Sequence, residues 1–205
     1  MVLEAIPVGA LEANCYVLSA GKKRRAIVID PGEEEEKIFR VLEANNLVCS
    51  LVVNTHGHYD HIGCDDNFGV QVMVHKDDLE MLHDPKLNFS VLMGRFCKVR
   101  SSLQAVEHGQ RITEDELVLE VIHTPGHSPG SISLLLIKPQ GGAVFTGDTL
   151  FCQGVGRTDL AGGSEKQLYA SIREKLFVLP DETIVYPGHG PASTIGEEKR
   201  HNSFL

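Results

Sequence analysis

The stretch Thr55-His56-Gly57-His58-Tyr59-Asp60-His61 decides how this chain is interpreted. Three imidazoles and one carboxylate lie within six residues, directly after the apolar run Leu51-Val52-Val53-Asn54, which is typical of a buried strand. We therefore expect the polar side chains at the end of a strand, where a rigid sheet can present ligands from a short loop. The alternative is a polar loop that is rich in histidine by chance.

The spacing of these side chains suits metal binding. His56 and His58 are two positions apart, so in an extended segment they point the same way and can bind one ion. Asp60 and His61 come where the chain should turn into a helix, which would aim them at a neighbouring point. The simplest arrangement is one ion on the two histidines and a second ion on the Asp-His pair. Each ion needs further ligands, because a zinc-type centre takes about four.

Three later segments can supply those ligands, because each has a histidine or an aspartate beside glycine at the end of a strand or in a turn: 123–130, 143–148 and 183–190. Glycine lets the backbone turn sharply at such a point. We assign His127, Asp148 and His189 as the remaining ligands. Asp148 is the only carboxylate of the three, and its two oxygens can bridge both ions.

The order of these residues resembles the metallo-β-lactamase superfamily, with all seven positions of its motif filled. The resemblance covers nearly the whole chain. It implies an α/β fold, a four-layer αββα sandwich with the metal site at one edge of the paired sheets, and a single domain over residues 1–205. It also implies how the ligands are shared: His56, His58 and His127 on the first ion, Asp60, His61 and His189 on the second, and Asp148 as the bridge.

Two segments narrow the resemblance within the superfamily. Gly147-Asp148-Thr149-Leu150-Phe151 and Pro187-Gly188-His189-Gly190 resemble the glyoxalase II (hydroxyacylglutathione hydrolase) branch. This implies a dinuclear metal-dependent hydrolase that cleaves a small thioester, such as a hydroxyacylglutathione, by attack of a metal-bridging hydroxide. Asp60 is the candidate catalytic residue, since it can orient that hydroxide or take its proton. The chain is more similar to the short bacterial members, which lack a C-terminal glutathione-binding helical domain.

Arg157 is the candidate substrate-binding residue. It follows Asp148 by nine positions in a glycine-rich segment, and an arginine can bind a carboxylate through two parallel hydrogen bonds. In the alternative interpretation, Arg157 pairs with nearby Asp159 and only fixes the loop.

Two other functions stay open. The run Gly156-Arg157-Thr158-Asp159 resembles persulfide dioxygenases, which use a single iron on the same scaffold. A metal-binding module without turnover is the non-enzyme alternative, and the complete set of ligands weighs against it. We expect two divalent ions, zinc first, with iron or manganese also compatible with a carboxylate-bridged, histidine-rich site.

Composition restricts the partners and the compartment. The chain has 205 residues and a net charge of −9, so its charge gives no argument for a basic surface that would bind nucleic acid. It contains neither a membrane-spanning apolar run nor an N-terminal signal pattern, so we expect no membrane partner. Five cysteines without a Cys-x-x-Cys motif indicate a reducing cytoplasm. The expected partner is a small-molecule thioester, and the oligomeric state is left open.

Alternation of apolar and polar residues predicts the following elements. Strands are expected over 2–8, 15–18, 26–30, 51–54, 70–74, 117–122 and 132–137, with 21–23 as a hairpin turn. Helices are expected over 33–45 and 76–83. Ser164 and Gln167 have the form of a capping box before a third helix, on which Leu168, Ile172 and Leu176 form one apolar face.

Overall fold

Two six-stranded β-sheets form the centre of the computed structural model, which describes residues 1–22, 24–139 and 141–205. The first sheet contains, in order, β1 (Val2–Val8), β2 (Ala13–Ser19), β3 (Arg25–Ile29), β4 (Val48–Val53), β5 (Gln71–His75) and β6 (Leu103–Val106). β1, β2 and β3 are antiparallel neighbours, whereas β3 to β6 run parallel. The carboxyl-terminal ends of the parallel strands β3 to β6 therefore lie at one edge of the sheet.

The second sheet is built from the later half of the chain. Its strands are β7 (Arg111–Glu114), β8 (Leu117–His123), β9 (Ile132–Lys138), β10 (Ala143–Gly147), β13 (Ile184–Pro187) and β14 (Ser193–Thr194). A small hairpin of β11 (Leu150–Phe151) and β12 (Gly154–Val155) lies between β10 and β13 in sequence. β10 and β13 are parallel, so the residues that follow them emerge at the same edge.

The described part of the chain forms five α-helices that cover the outer faces: α1 (Glu35–Ala44), α2 (Tyr59–Ile62), α3 (Leu79–His83), α4 (Glu165–Ser171) and α5 (Ile195–His201). Among the described helices, none combines the length and the apolar character needed to cross a membrane.

Alternation along the strands separates three apolar cores. On β3, Ile27 and Ile29 face the core between the sheets, where they join Phe145 and Leu134 of the second sheet. Ala26 and Val28 face the opposite way and pack under α1 and α3. Residues on the outer face of the second sheet pack under α4 and α5. The layers are thus helix, sheet, sheet, helix, and the predicted αββα sandwich is confirmed.

Two predicted helices differ from the structure in detail. The first begins at Glu35 rather than Glu33, because Glu34 has a left-handed backbone (φ 54°) that an α-helix cannot contain. The second is interrupted: 76–78 form a 3₁₀ turn, and α3 begins at Leu79 because Asp78 departs from helical geometry (φ −107°). Lys23, the last residue of the predicted hairpin turn, lies outside the described residues.

The predicted capping box is confirmed in its main contact. The Ser164 hydroxyl accepts a hydrogen bond from the Gln167 backbone N–H at 3.4 Å. α4 continues after Ser171 as a π-helical turn over 172–176. The expected apolar face, Leu168, Ile172 and Leu176, is buried against the second sheet.

Candidate metal centre

Strand ends bring all seven predicted ligands to one edge of the sandwich. β4 leads directly into His56 and His58, and α2 carries Asp60 and His61. The other three follow strands of the second sheet: His127 after β8, Asp148 after β10 and His189 after β13. Each half of the chain therefore supplies part of the centre.

The first group consists of His56, His58 and His127. One ring nitrogen of each lies within 4.8 Å of the others, and all three side chains are buried. His58 Nδ1 and His127 Nε2 are 2.8 Å apart. Nitrogen atoms at this separation need a proton or a cation between them.

The second group consists of Asp60, His61 and His189, whose ligand atoms also lie within 4.8 Å of one another. The Nε2 atoms of His61 and His189 are 3.3 Å apart, and Asp60 Oδ2 lies 3.5 Å from His189 Nε2. The His189 side chain is a quarter exposed, so this group opens toward solvent.

Asp148 lies between the two groups. Its Oδ2 is 3.5 Å from His127 Nε2 in the first group and 3.6 Å from His189 Nε2 in the second. Its Oδ1 is 3.5 Å from His61 Nε2. The carboxylate is therefore within reach of both groups, as a bridging ligand would be.

Buried atoms without partners test whether these residues fit metal ions. His56 Nε2, His58 Nε2 and Asp148 Oδ1 are inaccessible to solvent and have no hydrogen-bond partner among the described residues. Leaving such atoms unpaired is costly in a folded protein. Divalent ions held by the two groups would give partners to atoms such as His56 Nε2 and Asp148 Oδ1, so the donor set fits divalent metal.

The opposite ring nitrogens are fixed by hydrogen bonds. The acceptors are Thr55 Oγ1 for His56 Nδ1 (3.1 Å), Asp30 Oδ2 for His61 (3.0 Å), the Arg157 carbonyl for His127 (2.9 Å) and the Leu11 carbonyl for His189 (3.0 Å). In each ring, Nδ1–H donates outward, so that Nε2 faces the centre. Metal-binding histidines are oriented in this way.

The pKa values of His56 and His61, one from each ligand group, shift in opposite directions. Burial, and then the neighbouring imidazoles, hold the pKa of His56 well below its usual range, so this ring is neutral. Burial also opposes protonation of His61. The carboxylates of Asp60, Asp148 and Asp30 nevertheless raise the pKa of His61 to about 10. The second group therefore attracts positive charge strongly.

Glycines allow the backbone to approach Asp148 closely. A Cβ at Gly188 would overlap Asp148 Oδ1, and a Cβ at Gly156 would overlap the Asp148 carbonyl oxygen. Any other residue at either position would displace the carboxylate or its loop.

Two buried aspartates support the centre, and the sequence analysis did not identify them as site residues. Asp30 accepts hydrogen bonds from the Thr55 backbone N–H (2.7 Å), the Thr55 hydroxyl (2.6 Å) and His61. Asp78 accepts from the Gly57 N–H (2.9 Å) and from two groups in the loop that follows His127. The signal for Asp30 was an aspartate at a strand end before Pro-Gly; nothing local marked Asp78.

A cavity of about 260 Å³ opens on the metal centre. Arg157 lines it, but the guanidinium forms two hydrogen bonds of 2.7 Å with the carboxylate of Asp159. The pairing anticipated in the alternative interpretation is therefore present. Substrate binding by Arg157 stays a prediction.

One further histidine pair lies outside the centre. The rings of His75 and His123 stack at 3.9 Å, nearly parallel, with Asp77 close by. His123 Nε2 donates to the Pro129 carbonyl at 2.9 Å. The stacking and the bond to Pro129 favour a structural role for His123.

Comparison with known proteins agrees with this geometry. The family model described as "Metallo-beta-lactamase superfamily" matches residues 8–189. The hydroxyacylglutathione hydrolase GloC of Haemophilus influenzae is 37% identical, over 100% of this chain and 98% of its own length. The structure of the BLEG-1 B3 metallo-β-lactamase superposes with a TM-score of 0.92 at 39% identity, covering 100% of this chain and 99% of that one. The di-iron-bound form of TTHA1623 superposes with a TM-score of 0.85 at 34% identity, covering 98% and 100%.

Three observations point to the same family. The fold has two sheets between helices, its His/Asp groups could hold divalent ions, and the family model matches most of the chain. This chain belongs to the metallo-β-lactamase superfamily.

Proposed function

We propose that this protein is a dinuclear metal-dependent hydrolase that cleaves small thioesters, with hydroxyacylglutathione as one member of that class. The observation that carries the proposal is the position of Asp148, within 3.6 Å of a histidine in each of two ligand groups. The relative named hydroxyacylglutathione hydrolase supports the choice of a thioester.

Divalent ions bound by the two groups would supply Lewis acidity, which polarises a carbonyl and lowers the pKa of water. His56, His58 and His127 are assigned to one ion and Asp60, His61 and His189 to the other, with Asp148 between them. Zinc is the expected metal, and iron is the alternative because TTHA1623 has a di-iron-bound form.

Asp60 is the proposed catalytic residue. Its carboxylate lines the cavity, and burial is outweighed by neighbouring imidazoles, so that the pKa of Asp60 is lowered and the group is ionised. An ionised carboxylate there can orient the attacking water and accept its proton. The water oxygen forms a bond to the acyl carbon, the carbon–sulfur bond breaks, and the thiol leaves with a proton.

The second ligand group favours hydrolysis over the mononuclear dioxygenase. A single iron on the first group would leave Asp60, His61 and His189 without a metal ion, although their donor atoms lie within 4.8 Å of one another. The metal-binding module is disfavoured because the groups open into a cavity that could admit a substrate.

The test measures thiol release from a lactoyl thioester of glutathione by zinc-loaded protein without oxygen. Asp60→Asn should lower kcat about 10²- to 10⁴-fold with less effect on KM. Metal content is measured in parallel, because Asp60 is also an assigned ligand. Glu80→Gln, at an exposed carboxylate of α3, is the matched control. Oxygen consumption with glutathione persulfide, and intact thioesters, would establish the dioxygenase instead.

A further inference from the structure

The cavity at the metal centre has a polar floor and an apolar wall. The floor consists of five of the assigned ligands: His58, Asp60, His127, Asp148 and His189. Tyr59 and Arg157 also line the cavity. The wall is formed by aliphatic and aromatic side chains: Leu11, Phe89, Leu92, Met93 and Leu160. Three of these five come from one segment, the loop between α3 and β6.

This loop is fixed to the metal centre by Asn88, which is fully buried. The Asn88 side-chain amide donates to the carbonyls of Met81 (3.0 Å) and Cys97 (3.1 Å). Its backbone carbonyl accepts from the N–H of Tyr59, the first residue of α2, at 3.1 Å. The loop and the helix that carries Asp60 are therefore held together.

The conformation after Asn88 turns the apolar side chains outward. Phe89 has φ 63°, a left-handed backbone that is rare for an aromatic residue, and its ring lies 5.1 Å from that of His58. Leu92 and Met93 follow in a 3₁₀ turn and are 76% and 51% exposed. Large apolar side chains clustered at the mouth of a site mark a binding surface.

The charges around the apolar wall point to an uncharged acyl chain. Arg157 is its one Lys or Arg lining residue within the described part of the chain, and both arms of its guanidinium are bonded to Asp159. Asp60 and Asp148 also line the cavity, but both are assigned as ligands of the ions. An anionic group on the acyl chain, beyond the ions, would therefore find no unpaired guanidinium or ammonium in the described lining.

We propose that the apolar wall binds the acyl group of the substrate, and that the preferred substrates are thioesters of uncharged aliphatic or aromatic acids. The inference rests on the proposed thioester hydrolysis and specifies its substrate class. The acyl carbon lies at the polar floor, and the chain beyond it covers Leu92 and Met93.

A series of acyl thioesters on one neutral thiol tests the inference: acetyl, butyryl and hexanoyl N-acetylcysteamine. kcat/KM should rise up to about fourfold per methylene, the factor for full burial of each group. Leu92→Ala and Met93→Ala should flatten this dependence. Val91→Ala is the matched control, since Val91 is 43% exposed in the same turn but outside the cavity lining. The inference would be overturned if kcat/KM in the unaltered protein did not rise with acyl chain length. It would also be overturned if both variants kept the same dependence of kcat/KM on chain length.

A binding experiment separates this inference from the proposed function. The chain has no tryptophan, so Leu92→Trp introduces a single fluorescent reporter. Saturable blue-shifted emission is expected with hexanamide and not with acetamide. If hexanamide binds in this way but the protein cleaves no thioester, the apolar binding site is supported and the proposed reaction is rejected. The acyl assignment would be overturned if hexanamide did not change the emission. It would also be overturned if the emission shifted with protein concentration, because a second copy of the chain would then cover the surface.

Discussion

The carboxylate of Asp78 accepts a hydrogen bond from the hydroxyl of Ser128 at 2.6 Å, joining two segments that are fifty residues apart in the chain. The same carboxylate also accepts from Gly57, between His56 and His58, and from Gly130. The loops that carry the three histidines of the first group are therefore held by one buried aspartate.

Removing this aspartate should weaken metal binding. In Asp78→Ala the loops lose their common acceptor, and we expect metal affinity to fall about 10- to 100-fold, as for other groups that orient metal ligands. Competition with a chromophoric chelator measures the change. Asp77→Ala, at the exposed neighbour, should leave affinity unchanged. Equal affinities in the two variants would mean that the loops are positioned without Asp78.

The stoichiometry of metal binding tests the bridge. Protein loaded with zinc should hold about two equivalents per chain, and Asp148→Ala should lose most of both, since the carboxylate belongs to both groups. Elemental analysis after desalting gives the count. Asp159→Ala, which alters an exposed carboxylate near the same cavity, is the control. Retention of two equivalents by Asp148→Ala would exclude a bridging role.

Arg157 and Asp159 should behave as a pair. Because both arms of the Arg157 guanidinium bond to the Asp159 carboxylate, a structural role for this pair predicts that Arg157→Ala and Asp159→Ala change KM similarly for anionic and neutral thioesters. The measurement is KM for succinyl and butyryl thioesters of the same thiol. A rise in KM limited to the succinyl compound in Arg157→Ala would support substrate binding by this residue.

Removing metal should lower thermal stability. Ions that bind only the folded chain stabilise it by about 2.7 kcal/mol at a free concentration of 100 Kd. Dialysis against a chelator should therefore lower Tm, and zinc should restore it. Asp148→Ala should show little response to either treatment. A Tm that is the same with and without metal would indicate that the donor groups do not hold ions in the folded protein.

Local spacing was enough to predict most of the strands and the candidate ligands, but not β6 or β7. His56, His58, Asp60 and His61 lie in one short run after an apolar strand, and the structure brings them together with the three later residues. Alternation along β1 predicted its bounds, because one face of the strand is buried. Assignment of each residue to a particular ion stays a prediction.

Distant contacts explain what the sequence did not reveal. Asp78 acts through Ser128 and Gly130, about fifty residues later, and nothing near it in the sequence points to them. The loop around Phe89 was assigned no element, because its conformation depends on hydrogen bonds from Asn88 to two separate segments. Such bonds carry no periodic signal.

Because the two sheets each contribute ligands, the ion-binding geometry depends on how the sheets are packed. The sheets meet in a shared core that includes Phe145 and Ile29, and they are tied at the site by the Tyr16 hydroxyl, which donates to the Pro187 carbonyl at 2.7 Å. A core substitution that shifts one sheet by a fraction of an ångström would displace Asp148 and His189 relative to His58 and Asp60. Metal affinity should therefore respond to changes in core packing. A substitution in the core between the sheets would affect metal binding even though it replaces none of the ligands.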